Sequence, residues 1–276
     1  MESKTIRRFA LRGALLSGAV ALLLGSGIGC GKLEHLASTG TDDNFIRTPG
    51  EQPKAVEMPK GPLLPLSSGH RWTYAVETND PRKWNDTPAR KSIEELRIGG
   101  NRKVGDTSGV AVQIFQNGKL FREEVFRLDK EGLFLTAAGI NNARGTMDTL
   151  SISPGGIPLV RFPIQPGDAL SWDGIMRLSS RALSAPGTSF SRVSAIETVE
   201  TPAGKFPAYK IETLITTTID RQQIELYSAR WFSPGVGLVR QRILTGPQEI
   251  RKVLIKHQPA RTAQGKASNA ASPPQI

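Results

Sequence analysis

Arg71-Trp72-Thr73-Tyr74-Ala75-Val76 decides the fold: Trp72, Tyr74 and Val76 alternate with Arg71, Thr73 and Ala75. A period of two sends the large apolar set to one face of an extended chain and the rest to the other. Val110, Val112 and Ile114 alternate in the same way with Ala111, Gln113 and Phe115, as do Tyr209, Ile211 and Thr213 with Lys210 and Glu212. These runs are rich in β-branched and aromatic residues, which suit a pleated, half-buried surface. Between them fall Gly99-Gly100-Asn101, Asn117-Gly118, Lys130-Glu131-Gly132, Pro202-Ala203-Gly204-Lys205 and Pro234-Gly235, which read as hairpin connectors. Beyond Cys30 no long stretch keeps a helical period, and only residues 140–150 leave room for a short helix. The predicted class is all-β and mainly antiparallel.

A weak internal repeat extends this reading. Pro65-Leu66 with Gly69 and Trp72 parallels Pro163-Ile164 with Gly167 and Trp172. Val125-Phe126-Arg127 leading to Gly132-Leu133 parallels Arg230-Trp231-Phe232 leading to Gly237-Leu238. Two meandering halves, 61–159 and 160–257, are therefore expected to join near residue 160. The second half holds the more distinctive text, Glu200-Thr201-Pro202-Ala203-Gly204-Lys205-Phe206-Pro207-Ala208-Tyr209-Lys210 and Ala229-Arg230-Trp231-Phe232-Ser233-Pro234-Gly235-Val236-Gly237-Leu238-Val239. Over residues 160–257 it resembles the hairpins of uncharacterised bacterial periplasmic proteins and lipoproteins. Their strongly curved sheets are similar in shape to the carriers that escort lipoproteins between membranes. The resemblance implies a strongly curved sheet or half-barrel.

The N-terminus differs in kind from the rest. Lys4, Arg7, Arg8 and Arg12 precede an apolar run from Gly13 to Leu24, and small residues then lead to Cys30. This is the order of a secretory signal. The apolar run is too short for a membrane span, which needs roughly 20 residues. Ile28-Gly29-Cys30 resembles the lipobox of bacterial lipoproteins, with Gly27 departing from the usual Leu. The resemblance implies cleavage after residue 29 and acylation of Cys30, the one cysteine of the chain. A plain signal peptide with an incidental cysteine is the alternative, but a lone exported thiol would have no disulfide partner. Arg7-Arg8 with Phe9 and Leu11 resembles a twin-arginine signal whose phenylalanine sits one position early, so the general secretory route stays the default. Gly31 lacks the aspartate that commonly retains such proteins at the inner membrane.

The organisation that follows is a signal peptide over 1–29, a lipid-anchored flexible tether over 30–60, a single β domain over 61–257 and a disordered tail over 258–276. With 38% hydrophobic and 22% charged residues, the chain falls in neither the disordered nor the multi-span membrane class. The net charge is +11, and loss of the leader's four basic residues and one acidic residue brings it to +8. The basic residues are dispersed, as on a solvated surface, so no nucleic-acid partner is expected.

Chemistry is sparse. His35, His70 and His257 stand far apart in sequence and read as surface residues, with no metal motif and no cofactor motif around them. Serines lack a nucleophile elbow, and the glycine pairs lack the lysine and helix of a phosphate loop. Asp168 and Asp173 could flank a sugar, while Glu123 and Glu124 would point to opposite faces of a strand. The aromatic set Trp72, Tyr74, Phe126, Trp172, Tyr209 and Trp231 offers either an ordinary core or a ligand-lining concave face. The leading expectation is a non-enzymatic protein of the cell envelope, on the cell membrane or outer membrane, that binds an apolar ligand, lipid or partner. The alternatives are a structural or assembly lipoprotein that recruits another envelope protein and, behind it, a carbohydrate-active enzyme.

Overall fold

A computed structural model describes residues 56–79, 89–142, 145–179, 183–219 and 221–260. The leader 1–29, Cys30, His35, most of the tether and the tail beyond residue 260 lie outside the described residues. Among the described residues the chain forms thirteen strands and no helix. They are β1 (Arg71–Asn79), β2 (Arg90–Val104), β3 (Thr107–Gln116), β4 (Lys119–Leu128), β5 (Gly132–Asn141), β6 (Met147–Ser153), β7 (Ile157–Arg161), β8 (Ala169–Leu178), β9 (Leu183–Thr201), β10 (Gly204–Ile219), β11 (Gln222–Ser233), β12 (Gly237–Thr245) and β13 (Gln248–Gln258).

Each strand pairs antiparallel with its neighbours, and β4 meets β5 while β1 meets β13. The curved sheet therefore closes on itself. Twelve strands form an up-and-down ring of two consecutive six-strand meanders, β1–β6 and β8–β13, and β7 stands outside it. Short β6 pairs with only Ala137–Asn141 of β5, and β7 takes up Gly132–Leu135 on the same edge while packing against β8 and β9. Within residues 140–150, where a short helix had room, 140–141 end β5 and 147–150 open β6, while 143–144 lie outside the described residues.

Local chemistry explains the turns. Between β3 and β4, Asn117 and Gly118 both take positive φ, 52° and 74°, the conformation that a two-residue hairpin loop needs. Gly99-Gly100 is not the hairpin expected from its text: β2 runs through it with a register shift between Ile98 and Gly100, and the chain reverses at Gly105-Asp106. The cause is packing as much as backbone freedom, since a Cβ on Gly99 would lie 2.7 Å from the Gln113 side chain.

Alternate residues point inward. Trp72, Tyr74, Leu133, Ile211, Phe232 and Leu254 are at most 2% exposed and belong to one continuous core. Burying such a side chain contributes about 1.5–3 kcal/mol. The outer face carries charge: Arg192 pairs with Glu212 at 2.9 Å, Tyr227 donates to Glu212, and Glu249 receives both Arg242 and Arg251. Apolar inside and polar outside is the reverse of a lipid-facing barrel wall.

Candidate functional site

The interior is the best-defined concave surface of the fold, and the register shows what faces it. Glu94 of β2 lies beside Tyr74 of β1, and Tyr74 beside Leu254 of β13. One level along, Val76, Lys252, Gln241, Arg230 and Ile211 follow one another across β1, β13, β12, β11 and β10. On β4, Arg122, Glu124 and Phe126 share the inward phase, opposite Ile114, Val112 and Val110 of β3. An apolar barrel thus contains a belt of charge.

Lys252 Nζ donates to Glu94 Oε2 at 2.5 Å, reaching over β1. Burial pushes the Glu94 carboxyl up, but Lys252 and Arg122 more than offset it and hold the group below the usual carboxylate range. Burial lowers the Lys252 ammonium, and the nearby Arg122 lowers it further. Burial likewise lowers the Arg230 guanidinium. Arg122 Nη2 lies 3.3 Å from Glu124 Oε1, within ion-pair range but out of hydrogen-bond alignment. Further inward atoms without a hydrogen-bond partner among the described residues include Arg122 Nε, Arg230 Nη1, Gln241 Nε2, Ser228 Oγ and Ser189 Oγ.

The six aromatic candidates divide. Trp72, Tyr74, Phe126 and Trp172 are buried on the inner side. Trp72 donates Nε1–H to the Val236 carbonyl at 2.6 Å, Tyr74 its hydroxyl to the Leu238 carbonyl at 2.6 Å, and Trp172 its Nε1–H to the Pro154 carbonyl at 3.0 Å. Tyr209 is half-buried at the core margin. Trp231 is buried as well, at 7% exposed, but on the outer phase of β11, since its neighbour Arg230 faces in. Lys210 and Arg240 stand over its ring, and its Nε1–H donates to Glu197.

Glu123 and Glu124 do take opposite faces: Glu123 pairs with exposed Arg102 at 3.1 Å, Glu124 with Arg122 inside. Asp168 Oδ2 accepts the Gln165 N–H at 2.9 Å within the turn before β8, and Asp173 lies on the opposite phase of that strand, beside the exposed ring of Phe190. Five extended residues span about 16 Å, which exceeds the separation of a glycosidase pair.

Two of the residues read as isolated surface histidines meet. His70 and His257 are part-buried, their ring nitrogens 3.2 Å apart, and both stack with Trp72. Burial lowers the pKa of each, and His70 lowers that of His257 further. Among the described residues no group of three or more His, Cys, Asp or Glu side chains could hold a metal.

Comparison with known proteins gives a DUF3108-like family model matching residues 163–243, from the turn before β8 to the end of β12. No curated protein matches the chain. Among solved structures, it is similar to a protein from Bacteroides fragilis described as exported and YmcC-like in fold, at 16% identity over 72% of this chain and 100% of that one, with a TM-score of 0.44. A protein from Parabacteroides distasonis described as a lipoprotein is 13% identical over 72% of this chain and 99% of its own, with a TM-score of 0.45. YmcC of Escherichia coli, described as a hypothetical lipoprotein, is 14% identical over 69% of this chain and 85% of its own, with a TM-score of 0.35.

Proposed function

We propose that this chain is a non-enzymatic, lipid-anchored protein of the cell envelope that holds an apolar ligand or lipid inside its barrel. The leader and Cys30 support export and the anchor. The observation that carries the ligand reading is the size of the ring. About eight strands enclose a space that side chains alone fill, and here twelve close.

The inner wall of β8–β10 is also thin. Gly174, Gly187, Ser191 and Thr213 occupy inward positions, and Trp172 and Met176 fold over the two glycines. Ser191 and Thr213 are fully covered, so a ligand enters by displacing side chains such as the flexible Met176 rather than by filling an open channel. No strand ladder need break for this. Recruitment of a protein through a free strand edge has less support, since every strand of the ring has a neighbour on both sides and the strand outside it, β7, is five residues long and packs against β8 and β9.

The test is native mass spectrometry of the full chain, extracted from membranes in mild detergent, with displacement of a fluorescent fatty acid. One bound lipid-sized ligand and saturable displacement are expected. A chain that leaves the membrane ligand-free and binds no probe would overturn the reading.

A further inference from the structure

The belt of charge does not balance. Among the described residues, the charges of the belt that act on one another are the three cations Arg122, Arg230 and Lys252 and the two carboxylates Glu94 and Glu124. Lys252 and Glu94 satisfy each other. Arg122 and Arg230 then share Glu124, which lies within electrostatic reach of both. Among the described residues one positive charge of this set is left without a counter-charge, although both arginines are only 5% exposed. A buried charge without a counter-charge is among the most costly features a core can hold.

The unpartnered atoms point to where the missing charge belongs. Arg122 Nε, Arg230 Nη1 and Gln241 Nε2 are all N–H donors with no acceptor among the described residues. Arg230 and Gln241 are register neighbours on β11 and β12, and Arg122 stands on β4 at the opposite side of the ring, its buried guanidinium within electrostatic reach of Arg230 and Lys252. Planar guanidinium groups suit the two or three oxygens of a carboxylate or phosphate.

We infer that Arg122 and Arg230, with Gln241, grip an oxyanion inside the barrel, a carboxylate or a phosphate that forms the charged head of the ligand. The inference rests on the interior-ligand reading above and narrows it from an apolar molecule to an anionic amphiphile. The apolar tail would lie against the aliphatic wall, and Glu124 would compete with the head for the same arginines.

The experiment titrates the full chain, held in phosphatidylcholine nanodiscs, with octanoate, octanol and inorganic phosphate by calorimetry. Octanoate should bind at least tenfold more tightly than octanol, and Arg230→Gln should weaken octanoate at least tenfold. Glu124→Gln removes the competing carboxylate while keeping every cation, so it should tighten octanoate several-fold, an effect that a damaged fold would not produce. Phosphate binding with the same variant pattern would support the oxyanion site but assign it to a free anion, against the apolar-ligand reading. Equal affinity for octanol and octanoate, or weaker octanoate binding in Glu124→Gln, would overturn the inference and leave the ligand reading standing. If none of the three binds, both fall.

Discussion

Trp72 on the first strand lies directly opposite His257 on the last, and this pairing joins the two ends of the chain's β structure into a ring. The indole also stacks on the imidazole and donates to the Val236 carbonyl in the turn between β11 and β12. One side chain therefore ties three elements at the seam.

Replacing Trp72 should open that seam. Trp72→Phe keeps most of the apolar area but leaves the Val236 carbonyl without its donor, a loss of about 1 kcal/mol. Trp72→Ala removes the ring and should cost about 3–5 kcal/mol. Urea denaturation followed by the fluorescence of the remaining tryptophans measures both.

The buried Lys252–Glu94 pair should behave asymmetrically. Glu94→Leu alone strands the Lys252 ammonium and should cost about 3–5 kcal/mol, Lys252→Met leaves Glu94 with Arg122 in reach and should cost less, and the double variant should recover most of the Glu94→Leu loss. A double-mutant cycle in urea checks it. Additive losses would contradict the pairing.

Acid should weaken the seam through the histidines. Burial depresses the pKa of His70, and burial and His70 together depress that of His257, so the unfolded chain takes up protons more readily than the folded one. The stability that this uncharged pair contributes is complete above the ordinary histidine value of 6.5 and falls as pH drops below it. Between pH 7.5 and pH 5.5 the wild type should lose more stability than His257→Gln, as read from thermal melts at each pH.

Cys30 should carry the anchor. In cells fed labelled palmitate the wild-type chain should take up label and sediment with membranes, and Cys30→Ser should remain unlabelled and move to the soluble fraction. Label entering the serine variant would place the lipid elsewhere.

The sequence alone was enough for the class of the fold, because period two with β-branched and aromatic residues is a local property of each strand. Asn117-Gly118 announced its hairpin for the same reason: both residues tolerate the positive φ that the turn imposes. Gly99-Gly100 misled because a bulge and a turn ask for the same residues, and only the side chain of Gln113 against Gly99 separates them. Trp72 and Trp172, which the weak internal repeat aligned, each stand near the start of a six-strand meander.

Closure of the ring was not legible, since it depends on pairing β1 with β13, the first strand with the last, and β6 with β8 across β7, and pairing between strands that are not consecutive leaves no mark in either one. The charged interior left a faint trace: Glu94 stands in phase with Leu96, and Lys252 with Ile250 and Leu254, on the face that faces inward. A carboxylate in phase with leucine reads as an imperfect strand until its partner is seen, and that partner lies 158 positions away. Alternation along the chain determines which way a side chain points; only the folded ring decides what it meets there, because the meeting is across space and not along sequence.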